Sequence, residues 1–250
     1  MTKILICGSS GKMGKAVFEA AERDENVQIL CGVDAFPKNE LSFTEYKSFD
    51  EVKEIPDVVV DFSHPVNLDS LIDFCTKNTI PAVICTTGYS QEEIEKIHKL
   101  SESVPVFYSG NMSLGVNLLI ELSKKATAVF GSAFDIEIVE KHHNQKIDAP
   151  SGTALMIADA ISTVMDEEPQ YVYDRHSYRA KRKQNEIGIH AVRGGTIVGE
   201  HSVIFAGNDE VLTITHQAQS KSLFATGAVS AAKFVCGKEP KMYNMSDMLA

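Results

Sequence analysis

Short apolar runs alternate with amphipathic segments along the N-terminal part of the chain. The apolar runs are predicted to be strands and cover residues 4–7, 29–33, 58–62, 82–85 and 104–108. Apolar residues at helical spacing predict helices between several of these strands, at residues 12–23, 67–77 and 90–100. Strands that are apolar throughout and alternate with helices are typical of a parallel sheet covered on both faces. We therefore predict an α/β domain with a doubly wound, Rossmann-like sheet.

The pattern changes after a long, mostly apolar helix predicted at residues 114–130. Beyond Gly131, the apolar Ile136 and Ile138 alternate with Asp135 and Glu137, which predicts a half-buried strand. The remaining predicted elements are a helix at 151–165, a polar loop at 166–185, and strands at 187–193, 196–205 and 211–218. We predict a second, α+β domain with an open mixed or antiparallel sheet, and place the domain change near Gly115.

The end of the chain has the pattern of one more helix, at residues 224–235, followed by a short apolar ending at 242–249. The helix is rich in small residues, which predicts close packing against a neighbour. We expect one domain at 1–114, a second at 115–219, and a return of residues 220–250 to the first. An open sheet face on a small domain needs a cover, and another subunit's sheet is the cover we expect.

Composition narrows the class of protein. The 250 residues are 44% hydrophobic, which suffices for a sizeable core. The net charge of -10 disfavours binding to nucleic acid or to anionic membrane surfaces. The N-terminus lacks the pattern of a signal peptide, and no apolar run approaches the ~20 residues that span a bilayer. Five scattered cysteines without a Cys-x-x-Cys pair predict reduced thiols in a cytoplasmic protein.

A glycine motif follows the first predicted strand: Gly8-Ser9-Ser10-Gly11-Lys12-Met13-Gly14, with Asp34 at the end of the second strand. In a dinucleotide-binding fingerprint, glycines let the backbone approach a pyrophosphate and the acid binds a ribose hydroxyl. Ser10 occupies the place of the usual second glycine, so an ordinary glycine turn before a helix stays an alternative. A triphosphate-binding P-loop is excluded, because no Gly-Lys-Ser/Thr follows at the required spacing.

Two further loops end predicted strands at the edge where doubly wound sheets bind ligands. They are Cys85-Thr86-Thr87-Gly88 and Ser109-Gly110-Asn111-Met112-Ser113. Both could reach the nicotinamide half of a cofactor. Simple helix caps formed by Thr87, Ser90 or Ser113 are the alternative.

The segment 140–153 concentrates the candidate chemistry. Adjacent strand residues point to opposite faces, so a loop from about His142 is needed to turn both His142 and His143 towards a common space with Lys146. Ser151 is a good N-cap, but no carboxylate stands at the third helical position, so the helix start beside Lys146 favours an anion. Histidines satisfied by local hydrogen bonds are the alternative. A metal site is disfavoured, because adjacent histidines seldom share one ion and Lys146 would repel it.

These residues resemble the signature of the dihydrodipicolinate reductase family. The segment has the form Glu140-x-His142-His143-x-x-Lys146-x-Asp148-Ala-Pro-Ser-Gly-Thr-Ala154. Further matches follow in the family's order: Gly8 to Gly14, Thr86-Thr-Gly88, Gly110 to Asn117, Arg193-Gly-Gly-x-x-x-Gly199-Glu-His201 and Phe224-Ala-x-Gly-Ala228. The resemblance covers nearly the whole chain.

The resemblance implies a dinucleotide-binding domain at 1–114 and a substrate-binding, tetramer-forming domain at 115–219. It implies reduction of dihydrodipicolinate to tetrahydrodipicolinate by NADH or NADPH, in the diaminopimelate and lysine pathway. His142 matches the family's proton donor and acceptor, and Lys146 its second acid. The residues that match substrate-carboxylate ligands are His143, Lys146, Ser151, Gly152 and Thr153. The residues that match cofactor ligands are Gly8, Ser9, Ser10, Gly11, Lys12, Met13, Asp34, Cys85, Thr86, Thr87, Gly110, Asn111, Met112 and Ser113.

Three departures from the family pattern matter. Cys85 stands where we expect glycine, Lys221 stands where arginine is common, and Asp34 is followed by Ala35 instead of arginine. A carboxylate without an adjacent guanidinium favours the 2′-hydroxyl of NADH, although Lys38 could compensate. We expect NADH to serve at least as well as NADPH. The alternative function is a binding module that senses nicotinamide without catalysis. A third function, reduction of an aldehyde or an acyl phosphate, is disfavoured because no cysteine of this chain lies in the setting of a nucleophile.

Overall fold

A computed structural model describes residues 1–177 and 179–249 of the chain. Its residues form two compact units, one made of 1–114 with 222–250 and the other of 115–221. In the part of the chain that the structure describes, no helix combines the length and the apolar composition needed to cross a membrane.

The regular elements occur in the following order along the chain: β1 (Thr2–Cys7), α1 (Lys12–Ala21), β2 (Val27–Val33), β3 (Thr44–Tyr46), β4 (Val58–Asp61), α2 (Leu68–Asn78), β5 (Ala82–Ile84), α3 (Gln91–Leu100), β6 (Val106–Tyr108), α4 (Leu114–Phe130), β7 (Asp135–His142), α5 (Gly152–Ser162), β8 (Gln170–Val172), β9 (Glu186–Arg193), β10 (Gly199–Ala206), β11 (Val211–Ala218), α6 (Ser222–Val235), β12 (Met242–Tyr243) and α7 (Met245–Leu249). Short 3-10 turns lie at Phe49–Glu51, Pro65–Asn67 and Gly131–Ala133.

The first unit is built on a parallel sheet of seven strands in the order β12-β6-β5-β4-β1-β2-β3. Helices α1 and α6 pack on one face, and α2 and α3 pack on the other. The strand order reverses at β1, which lies between β2 and β4, so the carboxyl ends of these strands form the crevice where such sheets bind ligands. The predicted doubly wound α/β fold is confirmed.

The small residues of α6 permit close packing, as predicted. A Cβ atom on Gly227 would lie 1.7 Å from the carbonyl oxygen of Met112, so only glycine fits at this position. Ala225, Ala228 and Ala232 are fully buried in the same core. The strand β12 that follows α6 pairs with β6 at the edge of the sheet.

The second unit has a mixed sheet of five strands in the order β11-β10-β7-β9-β8. Strand β10 is antiparallel to β11 and β7, whereas β9 is parallel to β7 and β8. Helices α4 and α5 cover one face and bury Leu119, Ile138 and Ile157. The opposite face exposes Val192 and Val211. The predicted open mixed sheet is confirmed.

Three short edge strands were absent from the prediction: β3, β8 and β12. Each has two or three residues and lies at the end of its sheet, so it has too few positions to show a period-two pattern. The predicted polar loop at 166–185 is therefore wrong at Gln170–Val172, which forms β8. Tyr178, in the same predicted loop, lies outside the described residues.

The turn after β1 depends on close backbone contacts. Gly8 has a φ of +82°, and a Cβ atom there would lie 2.7 Å from the carbonyl oxygen of Phe62. A Cβ atom on Gly14 would lie 2.3 Å from the carbonyl oxygen of Gly8. Backbone atoms cannot move aside as a flexible side chain does, so both glycines are required for the turn.

We predict that Gly14→Ala lowers the free energy of unfolding by about 1–3 kcal/mol, because the added methyl overpacks against backbone. Denaturant unfolding followed by circular dichroism measures this change. Gly110→Ala is the matched control, since nothing lies within 4 Å of a Cβ atom at Gly110. Equal stability of the two variants would contradict the conclusion that the turn requires glycine at position 14.

Candidate active site

The glycine turn of the first unit presents backbone N–H groups at the start of α1. No side chain caps this helix at Gly11, and its first turn contains no acidic residue. A helix start of this kind favours phosphate. Lys12 is exposed beside it, whereas Met13 packs against the core, so Met13 can contribute to a phosphate site only through its backbone.

Asp34 is half-buried at the end of β2, next to the glycine turn. Its Oδ2 atom accepts a hydrogen bond from the Ser10 N–H at 3.1 Å, and its Oδ1 atom accepts one from the Phe36 N–H at 2.9 Å. The hydroxyls of Ser9 and Ser10 both donate to Glu45, a residue to which the sequence assigned no role. The side chains of the turn therefore point towards Glu45.

The carboxyl ends of β4 and β5 border a cavity of about 500 Å³ in the first unit. Its lining includes Cys85, Thr86, Thr87 and Gly88, the loop predicted to contact a cofactor. Among the described residues the buried Thr86 hydroxyl makes no well-aligned hydrogen bond, and the Tyr89 side chain is the polar group beside it. A ligand with a polar group can satisfy that hydroxyl. Burial raises the pKa of the Cys85 thiol, which makes Cys85 unreactive.

The loop at residues 109–113 is ordered by its own hydrogen bonds. The Ser113 N–H donates to Asn111 Oδ1 at 2.9 Å, and the Ser109 hydroxyl donates to the Asn111 carbonyl. Gly110 is exposed, while Met112 is buried in the core against α6. Met112 is 2% exposed, and its carbonyl oxygen is covered by Gly227 of α6, so its side chain serves packing and not ligand contact.

In the second unit, a buried carboxylate links three parts of the candidate site. Glu140 on β7 is 0% exposed, and both of its oxygens accept hydrogen bonds from Arg193 of β9 at 2.7 Å. Its Oε2 atom lies 2.6 Å from His142 Nδ1, and its Oε1 atom accepts from the Ser151 N–H at 3.0 Å. Residues 140 and 142 face the same side of the strand because side chains alternate along it.

The charge of Glu140 fixes the proton on His142. Burial raises the pKa of Glu140, but hydrogen bonds from Arg193, His142 and the Ser151 N–H outweigh it and leave the pKa below its ordinary range. An ionised carboxylate only accepts hydrogen bonds, so His142 Nδ1 carries the hydrogen. The Nε2 atom is then the nitrogen that can exchange a proton.

The space beside His142 Nε2 is kept open by a glycine. A Cβ atom on Gly199 would lie 3.1 Å from that nitrogen, so a larger residue would crowd it. His201 packs against His142 with ring centroids 5.2 Å apart, and its Nε2 atom lies 3.0 Å from the Ser151 hydroxyl. Burial and the nearby charge of His142 lower the pKa of His201 to about 4, so His201 stays neutral.

Lys146 and the start of α5 form the cationic side of this cluster. Lys146 Nζ lies 2.8 Å from Asp148 Oδ1, and its charge is also among the causes that lower the pKa of His201. Ser151 caps α5 by accepting from the Ala154 N–H at 3.2 Å, and the first turn has no acidic residue. The predicted N-cap is confirmed.

The predicted site residues differ in exposure. His142 and Ser151 are buried, His143 and Lys146 are half-buried, Thr153 is half-buried, and Gly152 is exposed. The strand includes His142, so the loop begins at His143, one residue after the predicted start. Among the described residues, no group of His, Cys, Asp or Glu is arranged to hold a metal ion.

Four residues of these sites were missed as functional groups: Glu45, Glu140, Arg193 and His201. Glu140, Arg193 and His201 stand within recognised motifs but received no role. The two-residue spacing of Glu140 and His142 on a strand was the signal that could have paired them. Arg193 and His201 come from β9 and β10, and only the sheet pairing brings them to Glu140.

A doubly wound sheet with an uncapped glycine turn at the start of its first helix, accompanied by a unit with a histidine bound to a buried carboxylate, is typical of a dinucleotide-dependent oxidoreductase. Comparison with known proteins shows to which family of oxidoreductases the chain belongs. Family models of dihydrodipicolinate reductase match residues 2–112 with the N-terminal part and residues 115–249 with the C-terminal part. The chain belongs to the dihydrodipicolinate reductase family, whose cofactor is NADH or NADPH.

Individual relatives agree with the family match. The 4-hydroxy-tetrahydrodipicolinate reductase of Caldanaerobacter subterraneus subsp. tengcongensis is 53% identical over 100% of this chain and 98% of its own. That of Clostridium novyi is 45% identical over 100% and 98%. The dipicolinate-bound dihydrodipicolinate reductase of Paenisporosarcina sp. TG-14 aligns over 98% of this chain and 97% of that one, with a TM-score of 0.83 and 24% identity. That similarity supports the fold.

We predict that Arg193→Met lowers the free energy of unfolding by about 3–5 kcal/mol, because it leaves Glu140 buried without its cation. Chemical denaturation at neutral pH measures the loss. Lys141→Met is the matched control, since it breaks the partly exposed pair with Glu200 and should cost about 1 kcal/mol or less. A loss for Arg193→Met as small as the control's would contradict the role given to Glu140.

Proposed function

We propose that this protein reduces dihydrodipicolinate, formed from 4-hydroxy-tetrahydrodipicolinate, to tetrahydrodipicolinate with NADH or NADPH, in diaminopimelate and lysine biosynthesis. The observation that carries the proposal is the chain of contacts from Arg193 through Glu140 to His142, with Lys146 and the start of α5 in the same unit. The names of the full-length relatives support the same reaction.

His142 is the proposed proton donor. When bound, the reduced nicotinamide supplies a hydride to the ring of the substrate, and the electron-rich product needs a proton. Glu140 holds the hydrogen on Nδ1 and stabilises the doubly protonated ring, so the proton is delivered from Nε2. Lys146 is the proposed second acid.

The substrate's two carboxylates need cations and N–H donors, and these are supplied by His143, Lys146, Ser151, Gly152 and Thr153 in our proposal. Lys146 already holds Asp148, so it would exchange one carboxylate for another without becoming unpaired. The Ser151 hydroxyl also accepts from the Ala154 N–H and lies 3.0 Å from His201 Nε2, so in this proposal Ser151 both fixes the helix start and donates to a substrate carboxylate.

The cofactor is assigned to the first unit. Its proposed ligands are the glycine turn from Gly8 to Met13, Asp34, the loop from Cys85 to Thr87 and the loop from Gly110 to Ser113. The uncapped helix α1 and the Thr86 hydroxyl, which makes no well-aligned hydrogen bond among the described residues, support this assignment. Both carboxylate oxygens of Asp34 accept N–H bonds, and Ala35 follows it, which favours a ribose hydroxyl over a phosphate.

We also propose a homotetramer, in which the open face of the second unit's sheet is covered by another subunit. Val192 is 44% exposed and Val211 is 63% exposed on this face. Exposed β-branched residues on a sheet face favour burial in an interface.

A nicotinamide-sensing module without catalysis is the competing function. It would use the first unit alone and has no need of a histidine held by a buried, arginine-paired carboxylate. Proton exchange at His142 is what separates the two functions.

We predict that His142→Ala and Lys146→Ala each lower kcat on the order of 10²-fold or more, because each removes an acid. The measurement follows NADH absorbance with freshly generated dihydrodipicolinate, beside a panel of aldehydes that should not react. His98→Ala, an exposed position on α3, is the matched control and should keep the original rate.

Titration of NADH fluorescence shows whether cofactor binding survives in these variants. Unchanged binding with lost turnover supports an enzyme with its acids in the second unit. Equal loss of binding and turnover would mean that the acids are misplaced, and unaltered turnover would favour a different site.

We predict that kcat/KM with NADH is at least as high as with NADPH, because a 2′-phosphate would meet the carboxylate of Asp34 without an adjacent guanidinium. Steady-state rates with each cofactor at saturating dihydrodipicolinate measure this. A clear preference for NADPH would contradict the prediction.

We predict that sedimentation velocity detects a tetramer at micromolar concentration. Val192→Lys with Val211→Lys should shift the distribution to smaller species, because a desolvated pair of cations at the interface is unfavourable. A monomer across a wide concentration range for the unaltered chain would contradict the proposed covering of the sheet.

A further inference from the structure

Glu45 is a buried carboxylate with no assigned role beside the proposed cofactor site. It lies on β3, the edge strand next to β2, and is 8% exposed. Its Oε1 atom accepts hydrogen bonds from the hydroxyls of Ser9 at 2.6 Å and Ser10 at 2.8 Å. Its Oε2 atom accepts from the Asn39 N–H at 2.6 Å. Within the described residues no basic side chain forms an ion pair with it.

The carboxylate is held in its charged form by neutral donors. Burial raises the pKa of Glu45, but the hydrogen bonds from Ser9, Ser10 and Asn39 outweigh it and leave the pKa below its ordinary range. A negative charge that is balanced only by dipoles keeps its field. Glu45 therefore contributes a full negative charge at the edge of the glycine turn.

Ser10 connects Glu45 to the residue that recognises the ribose. Its N–H donates to Asp34 Oδ2 at 3.1 Å, while its hydroxyl donates to Glu45 and accepts from the Lys38 N–H at 2.9 Å. Two carboxylates thus bind to one residue of the turn. The same contacts hold the segment after β2, because Lys38 and Asn39 both point N–H groups into the network.

This arrangement opposes a 2′-phosphate in two ways. The phosphate would bring further negative charge next to Asp34 and Glu45, and pairs of like charges in a partly buried site repel. The hydroxyls of Ser9 and Ser10 and the Asn39 N–H would be natural phosphate donors, but Glu45 already occupies them. A ribose hydroxyl carries no charge and needs only Asp34.

We propose that Glu45 is a positioning residue that makes the dinucleotide site select NAD(H) against NADP(H), acting through Ser10 and the segment after β2. The inference rests on the proposed function, because it requires a dinucleotide at the glycine turn. It explains why serine, and not glycine, stands in the second position of the turn: the serine hydroxyl is the contact through which Glu45 is held.

The test is direct binding of NADH and NADPH, measured by fluorescence titration without substrate. We expect Glu45→Gln to lower the ratio of Kd for NADPH to Kd for NADH by about tenfold, chiefly through tighter NADPH binding. The Kd for NADH should stay within about twofold, since the ribose hydroxyl does not depend on the removed charge. Glu45→Asp retains the charge and should keep the original ratio.

Glu40→Gln is the matched control. Glu40 lies in the same segment, carries the same charge and pairs with Lys15, but it is exposed, and the hydroxyls of Ser9 and Ser10 donate to Glu45 instead. It should leave the ratio unchanged. An unchanged ratio in Glu45→Gln, or an equal loss of affinity for both dinucleotides, would overturn the inference and leave Glu45 a structural residue.

Salt provides a second measurement on the unaltered chain, which serves even if Glu45→Gln does not fold. Raising NaCl from about 50 mM to about 500 mM screens repulsion, so the Kd ratio should fall; a rise would reveal a cationic phosphate site and overturn the inference. If the chain bound neither dinucleotide, the proposed function would fail as well. If the protein binds and oxidises NADH but Glu45→Gln leaves the ratio of the two Kd values unchanged, this inference is overturned while the proposed function stands.

Discussion

A single buried carboxylate constrains the second unit. Glu140 is fully excluded from solvent, and an ionised group in that position is tolerated only with partners on every side. Its partners come from three elements: Arg193 from β9, the Ser151 N–H from the start of α5, and His142 from its own strand. The alignment of β7 with β9 and the entry into α5 therefore both depend on it. Replacing such a cluster with well-packed apolar residues often costs little stability, so a gain in stability is not a sufficient reason for its presence.

The cluster also orders the protons around the candidate site. Arg193 and the Ser151 N–H keep Glu140 ionised, Glu140 keeps the hydrogen on His142 Nδ1, and His201 is kept neutral beside it. Only one of the two neighbouring imidazoles can therefore carry charge. Gly199 leaves the Nε2 atom of that imidazole open. In the first unit, Glu45 has a comparable part, since it fixes the hydroxyls of the glycine turn instead of a histidine. In both units a buried acid positions the groups that we propose as ligand contacts.

The longer helices and strands could be predicted from the sequence, because a periodic pattern of apolar and polar residues is clearest when it extends over many positions. The helix at residues 114–130 and the strand at 211–218 match the structure at both ends, since their periodicity is uninterrupted. The edge strands β3 and β8 could not be predicted, because each is three residues long and includes polar residues, unlike the equally short but wholly apolar β5. Roles for Arg193 and Glu45 could not be predicted for a different reason. Each acts on a residue more than thirty positions away, and only sheet pairing brings β9 beside β7 and β3 beside the glycine turn.

The proposed role of His142 depends most on the position of one proton, and nitrogen NMR of protein labelled at the histidine rings measures that position directly. The neutral form of His142 should have its hydrogen on Nδ1 and a bare Nε2, with signals assigned by their loss in His142→Gln. Glu140→Gln should weaken that preference, because an amide can donate as well as accept. A neutral His142 that carries its hydrogen on Nε2 in the unaltered protein would contradict the claim that Glu140 prepares this residue to exchange a proton.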